Sequence, residues 1–121
     1  GERRFRDLTV ITAPDEIGRV RLLLNTAKAI SMGNTFDVFH LRLRWTEPNY
    51  WNDDFDDSAR YYLVQCAIQD TNTKEKRILI DMRVDWSFNG YDEKFRLPDR
   101  DLLLRCRVSA VNTETIRSRW T

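Results

Sequence analysis

Between Ile78 and Phe88 the chain alternates without a break. Ile78, Ile80, Met82, Val84, Trp86 and Phe88 share one parity, and Leu79, Asp81, Arg83, Asp85 and Ser87 the other. A period of two is that of a pleated strand, whose successive side chains point to opposite faces, and it does not fit a helical turn. The same period recurs elsewhere. Tyr62, Val64, Cys66 and Ile68 line one face of a run from Arg60 to Gln69, with Tyr61, Leu63 and Ala67 on the other. Leu102, Leu104, Cys106, Val108 and Ala110 oppose Arg105, Arg107 and Ser109. In a run from about Phe36 to Trp45, Phe39, Leu41, Leu43 and Trp45 read as inward, and His40, Arg42 and Arg44 as outward. Phe36 and Val38 break that parity, which predicts a bulge or a late strand start.

Turn chemistry sets the boundaries. Ala13-Pro14-Asp15-Glu16 precedes a first strand over Ile17–Leu24, with Val20, Leu22 and Leu24 on one face. Asn25 to Thr35 reads as a polar stretch of small residues, in which Thr26 to Ile30 could form a helical turn and Met32-Gly33-Asn34 is a breaker. Pro48 ends the second strand, and Asp70-Thr71-Asn72-Thr73 closes the third. Asn89-Gly90 suits a two-residue hairpin turn returning antiparallel through Tyr91, Phe95 and Leu97. Pro98 to Asp101 is a further turn, and Thr115 to Trp120 a short last strand. Some seven strands with no long helical period predict an all-β antiparallel two-sheet sandwich of immunoglobulin-like type. The 121 residues suffice for one domain, read as a lead-in over 1–12 and a domain over 13–121. Its predicted core includes Trp45, Tyr62, Val64, Leu97, Leu104 and Val108.

Charge and rare residues limit the chemistry. Lys plus Arg is 20 against 19 Asp plus Glu, a balance that argues against a dedicated nucleic-acid binder or a polybasic membrane clamp. No apolar run approaches the roughly 20 residues of a membrane span. No signal-peptide pattern opens the sequence, which carries no weight for export. The single histidine, His40, rules out a Cys/His zinc cluster with the two cysteines, Cys66 and Cys106. A His-based hydrolase would have to use His40, whose phase is that of a solvent-facing strand residue. The four glycines are dispersed and form no phosphate loop. The cysteines could be bridged or remain small buried thiols.

Four landmarks occur in order: Pro14-x-x-Ile17-x-x-Val20, Leu43-x-Trp45-x-x-Pro48, Tyr62-x-Val64 and Val108-x-Ala110-x-Asn112. Together they resemble a fibronectin type III domain over residues 13–121. The resemblance implies that Trp45 ends the second strand inside the core, that Tyr62 lies on the third strand and that the Val108 segment lies on the sixth. Leu104 stands where the family usually has a tyrosine, so that hydroxyl's corner hydrogen bond is absent. The loop after Pro48 resembles that of type III domains in chloride-channel-regulator proteins, and Arg117 to Thr121 resembles half of the tryptophan-serine box of cytokine-type receptors. On this fold Cys66 and Cys106 occupy neighbouring strands with inward phase. Directly opposite they would allow a cross-strand bridge, and offset by two they would remain thiols.

The resemblance implies a non-catalytic module of a cell-surface or secreted protein, without cofactor. It would serve as a spacer and as a contact surface for domains of the same chain or a protein ligand, with no nucleic acid and no insertion into a membrane. Tyr50, Trp51, Asp53, Asp54, Phe55, Asp56 and Asp57 form the candidate contact loop, since exposed aromatics beside charge mark interfaces. The reading that competes with this is aromatics folded back over the sandwich. The aspartates do not match an EF-hand, and Arg60 lies close enough to hold the loop. An alternative function is a carbohydrate-binding sandwich that stacks sugar on Trp51 and Tyr50. Arg42, Arg44, Arg105 and Arg107 are outward; such arrays can bind sulfated glycans, but near-neutral net charge favours plain surface charge. Arg105 and Arg107 could also stack on Trp120.

Overall fold

The computed structural model describes residues 14–53, 59–96, 102–113 and 115–121. Among them are six strands and no helix: β1 (Val20–Ser31), β2 (Asn34–Trp45), β3 (Tyr61–Asp70), β4 (Lys76–Asp85), β5 (Gly90–Phe95) and β6 (Leu102–Val111). They form two antiparallel three-stranded sheets, ordered β1-β2-β5 and β4-β3-β6. The last residues add a fourth, irregular ribbon outside β6. Arg117 bridges Val111, the Ser118 amide donates to the Ala110 carbonyl at 2.7 Å, and Val108 and Thr121 exchange backbone hydrogen bonds at 2.9 Å. The expected sandwich of about seven strands is the fold.

The core lies where the alternating rows of the two sheets meet. Leu41, Leu43 and Trp45 of β2 pack against Tyr62, Val64 and Cys66 of β3, Ile80 and Val84 of β4, and Val108 and Ala110 of β6. Strand β3 is central in its sheet, so every second side chain is buried along its whole length. The Tyr62 hydroxyl, which burial pushes well above its ordinary range, donates to Asn89 Oδ1 at 3.0 Å. Leu104 is partly buried against this core, whereas Leu97 and the lead-in over 1–12 lie outside the described residues.

Three expectations are corrected. First, β1 does not end at Leu24 and no helical turn follows. It continues to Ser31 because each residue from Val20 to Ser31 pairs in unbroken register with β2, so no bulge separates Phe36 from Phe39 either. Met32 and Gly33 close the hairpin with φ of 52° and 77°, the twist that two-residue turns require. Secondly, the face expected on β1 is only partly covered: Val20 packs against the core, but Leu22 and Leu24, in register with the buried Leu43 and Leu41, stay 43 and 39% exposed, and Leu23 on the opposite face is 53% exposed. Thirdly, Asn89-Gly90 is not a hairpin turn. Neither residue has positive φ, and the chain crosses there to the other sheet, where Gly90 pairs with Arg44 of β2. Glycine serves that crossing by close approach, since a Cβ would sit 2.9 Å from the Leu43 carbonyl oxygen and from the Arg44 side chain.

The clean alternation of Ile78–Phe88 is interrupted in β4. Pairing with β3 shifts between Cys66 and Ala67, so that Ile80 and Ile78 have partners and Leu79 has none. This bulge turns Ile78 into solvent, and Met82 and Phe88 are exposed as well.

Candidate functional site

The loop after Pro48 is fastened at both ends. Trp51 is 5% exposed, its ring centroid 5.4 Å from that of Tyr62, and its indole N–H donates to Glu47 Oε1 at 3.3 Å. The Trp51 carbonyl accepts from Asn112 Nδ2 at 3.4 Å. Two residues on, Asp53 receives the Arg60 Nε–H on both oxygens, at 3.1 and 2.9 Å, and the Thr113 amide at 3.1 Å. Arg60 Nη2 also bonds and ion-pairs with Asp53. The Arg60 guanidinium lies 5.2 Å from the Trp51 ring and 5.8 Å from that of Trp86. Side-chain exposure is 1% for Asp53 and 16% for Arg60. The Arg60 hydrogen bonds, ahead of the Thr113 amide, hold the Asp53 carboxyl below the usual carboxylate range.

Among the described residues this cluster packs Trp51 and the Asp53 side chain inward, against Tyr62 and Arg60. Trp51 and Asp53, read as contact residues, are corrected to buried structural members, because the indole has a slot beside Tyr62 and the carboxylate has three donors. Tyr50 is 70% exposed and keeps its place as a candidate contact. Asp54, Phe55, Asp56 and Asp57 lie outside the described residues. Sequence reading placed Arg60 near the aspartates but missed Thr113 and Trp86, which are distant in the chain and joined only by the fold.

Cys66 and Cys106 stand directly opposite in the β3–β6 register, with Cα atoms 4.1 Å apart, and are joined in a disulfide. Of the two arrangements open to them, the cross-strand bridge is the one adopted. The four arginines divide between the two outer faces. Arg42 and Arg44 lie on β2, Arg105 and Arg107 on β6 of the other sheet. Arg107 donates to Gln65 Oε1 at 3.0 and 2.7 Å and stacks 4.0 Å over Trp120, whose ring also receives Arg117 at 4.9 Å. His40 faces Asn25 on one side and Lys94 on the other. Among the described residues, no three His, Cys, Asp or Glu side chains converge to hold a cation. No helix there is long and apolar enough to cross a membrane.

An open sheet edge, the other contact mechanism that the sandwich reading offers, falls on β1. Among the described residues β1 pairs with β2 on one side only, which leaves alternate backbone groups along its other edge without a strand partner. Comparison with known proteins finds no match: no family model, no curated protein and no solved structure aligns with this chain.

Proposed function

We infer that this chain is a non-catalytic β-sandwich module of fibronectin type III kind, a spacer and protein-contact surface within an extracellular or cell-surface protein. The positions of the landmarks support the kinship: Trp45 ends β2 and is buried, Tyr62 lies on β3 against it, and Val108, Ala110 and Asn112 are buried on and just beyond β6. The disulfide supports the compartment, because such bonds persist where the surroundings are oxidising.

The observation that carries the contact role is the edge of β1 that no described strand covers, with its three half-exposed leucines. Such an edge accepts an added strand from a partner, with main-chain hydrogen bonds giving affinity. Hydrogen exchange of the β1 amides tests this. The amides that point away from β2 should exchange rapidly in the isolated module and gain protection when neighbouring domains or the ligand are present. Equal exchange in both states overturns the contact role. The burial of Trp51, which leaves Tyr50 as the exposed aromatic of that described pair, favours protein contact over the alternative of a carbohydrate-binding sandwich.

A further inference from the structure

The outward side of the β1-β2-β5 sheet gathers cations that are distant in sequence. The register sets Arg21 opposite Arg44, Leu23 opposite Arg42 and Asn25 opposite His40. Across β2, Arg42 faces Asp92 and His40 faces Lys94. All have the parity opposite to the buried Leu41, Leu43 and Trp45, so they project to solvent. Neighbouring strands lie about 4.8 Å apart and same-face residues along a strand about 7 Å. Arg21, Arg44, Arg42 and Lys94 thus occupy adjoining points of one flat lattice, with His40 beside the last two.

One carboxylate stands among them. Asp92 accepts hydrogen bonds from Arg44 on both oxygens. Those bonds first, then the charges of Arg44, Arg42 and His40, hold it below the usual carboxylate range. Arg21, Arg42 and Lys94 make no ion pair among the described residues. The whole chain carries a formal charge of only +1, so this face reflects segregation and not a general excess. Acids such as Asp81 and Asp85 sit on the other sheet.

We propose that this face binds a sulfated polysaccharide. The choice of polymer rests on the extracellular reading above, since the Cys66–Cys106 bond belongs to an oxidising compartment. Anionic lipid is concentrated in the cytoplasmic leaflet, on the wrong side for an oxidised chain. Single-stranded nucleic acid is bound by stacking successive bases on a series of aromatic platforms, and the positions that adjoin these cations in the register are Leu23, Asn25, His40 and Asp92. A sugar chain with sulfates on successive residues can lie flat across three strands, its anions meeting guanidinium forks and an ammonium.

Heparin is the probe. The wild-type protein should stay on a heparin column at about 0.15 M salt, and its affinity should fall steeply as salt rises. Arg42→Glu with Lys94→Glu should weaken binding at least about tenfold and flatten the log–log salt slope by about two. If that pair melts early, Arg42→Gln with Lys94→Gln reads the same loss. Arg77→Glu with Arg105→Glu makes the same charge change on the other sheet and should leave affinity within about twofold. Elution below 0.15 M salt (roughly physiological), undiminished binding by the first pair, or equal loss in the second overturns the proposal. So does equal affinity for desulfated heparin or oligo-dT, which would mark plain anion exchange. Thiol titration of the same secreted protein keeps the two readings apart. Two reactive thiols overturn the compartment and the choice of polymer with it, whereas an oxidised protein that ignores heparin overturns only the polysaccharide.

Discussion

Trp45 of one sheet meets Tyr62 of the other edge to face, their ring centroids 5.2 Å apart and their planes at 68°. The pair sits at the point where the alternating rows of β2 and β3 close on each other, so it reports on the packing of both sheets. Trp45→Ala should destabilise the fold by about 3–5 kcal/mol, as expected for emptying an aromatic site. Urea unfolding followed by circular dichroism measures this. A midpoint equal to wild type would contradict the burial of the indole.

The Asp53–Arg60 pair makes stability depend on pH. The folded-state Asp53 carboxyl is depressed chiefly by the Arg60 hydrogen bonds. Its contribution is therefore complete above the unfolded-state value of about 3.9 and is lost as pH falls through the lower folded-state value. Asp53→Asn should cost on the order of 1–3 kcal/mol at neutral pH, because Arg60 is left without its charged acceptor. It should also remove part of the acid sensitivity. Unfolding midpoints of both proteins between pH 2 and 7 would show the two curves approaching as pH drops.

The disulfide closes a span of 40 residues between Cys66 and Cys106. On the chain-entropy argument a loop of that size is worth about 4 kcal/mol. Cys66→Ala with Cys106→Ala should lower stability by up to that amount, while unfolding under reductant should resemble it for the unsubstituted protein. Ellman titration of the native chain should find no reactive thiol.

Gly90 predicts a loss of a different origin. Its φ is ordinary, yet an added methyl would meet the Leu43 carbonyl oxygen at 2.9 Å. Gly90→Ala should destabilise by about 1–3 kcal/mol through overpacking at the crossing between sheets, whereas Leu23→Lys on the exposed edge strand should change stability by no more than about 0.5 kcal/mol. Thermal melts of the two variants test the contrast.

The parts of the fold that could be read in the sequence are those where two sheets select side chains on one parity. Tyr62, Val64, Cys66 and Ile68 are all buried, and the run announces its strand. β1 shows the converse. From Arg21 to Lys28 every residue is exposed, so no opposing surface selects apolar side chains and Asn25 to Thr35 reads as a polar connection. The crossing at Asn89-Gly90 was misread because a glycine needed for close approach looks, in sequence, like one needed for positive φ. The Asp53 cluster was half legible: Arg60 is a near neighbour in the chain, but Thr113 reaches the carboxylate only after β6 has folded against β3. Likewise the basic lattice is spread over three strands, and no local window contains it.

Among the described residues the β1–β2 hairpin runs on past its pairing with β5. Described pairing with β5 ends at Phe39 opposite Phe95, while β1 and β2 stay paired as far as Ser31 and Asn34. None of the overhang's described side chains belongs to the clustered core, and its tip at Met32 is almost wholly exposed. Exposed tips of this sort accept added sequence with little energetic consequence. The module thus carries a natural graft site, where an inserted peptide or label would be displayed at a distance from the packed indoles and the bridged strands.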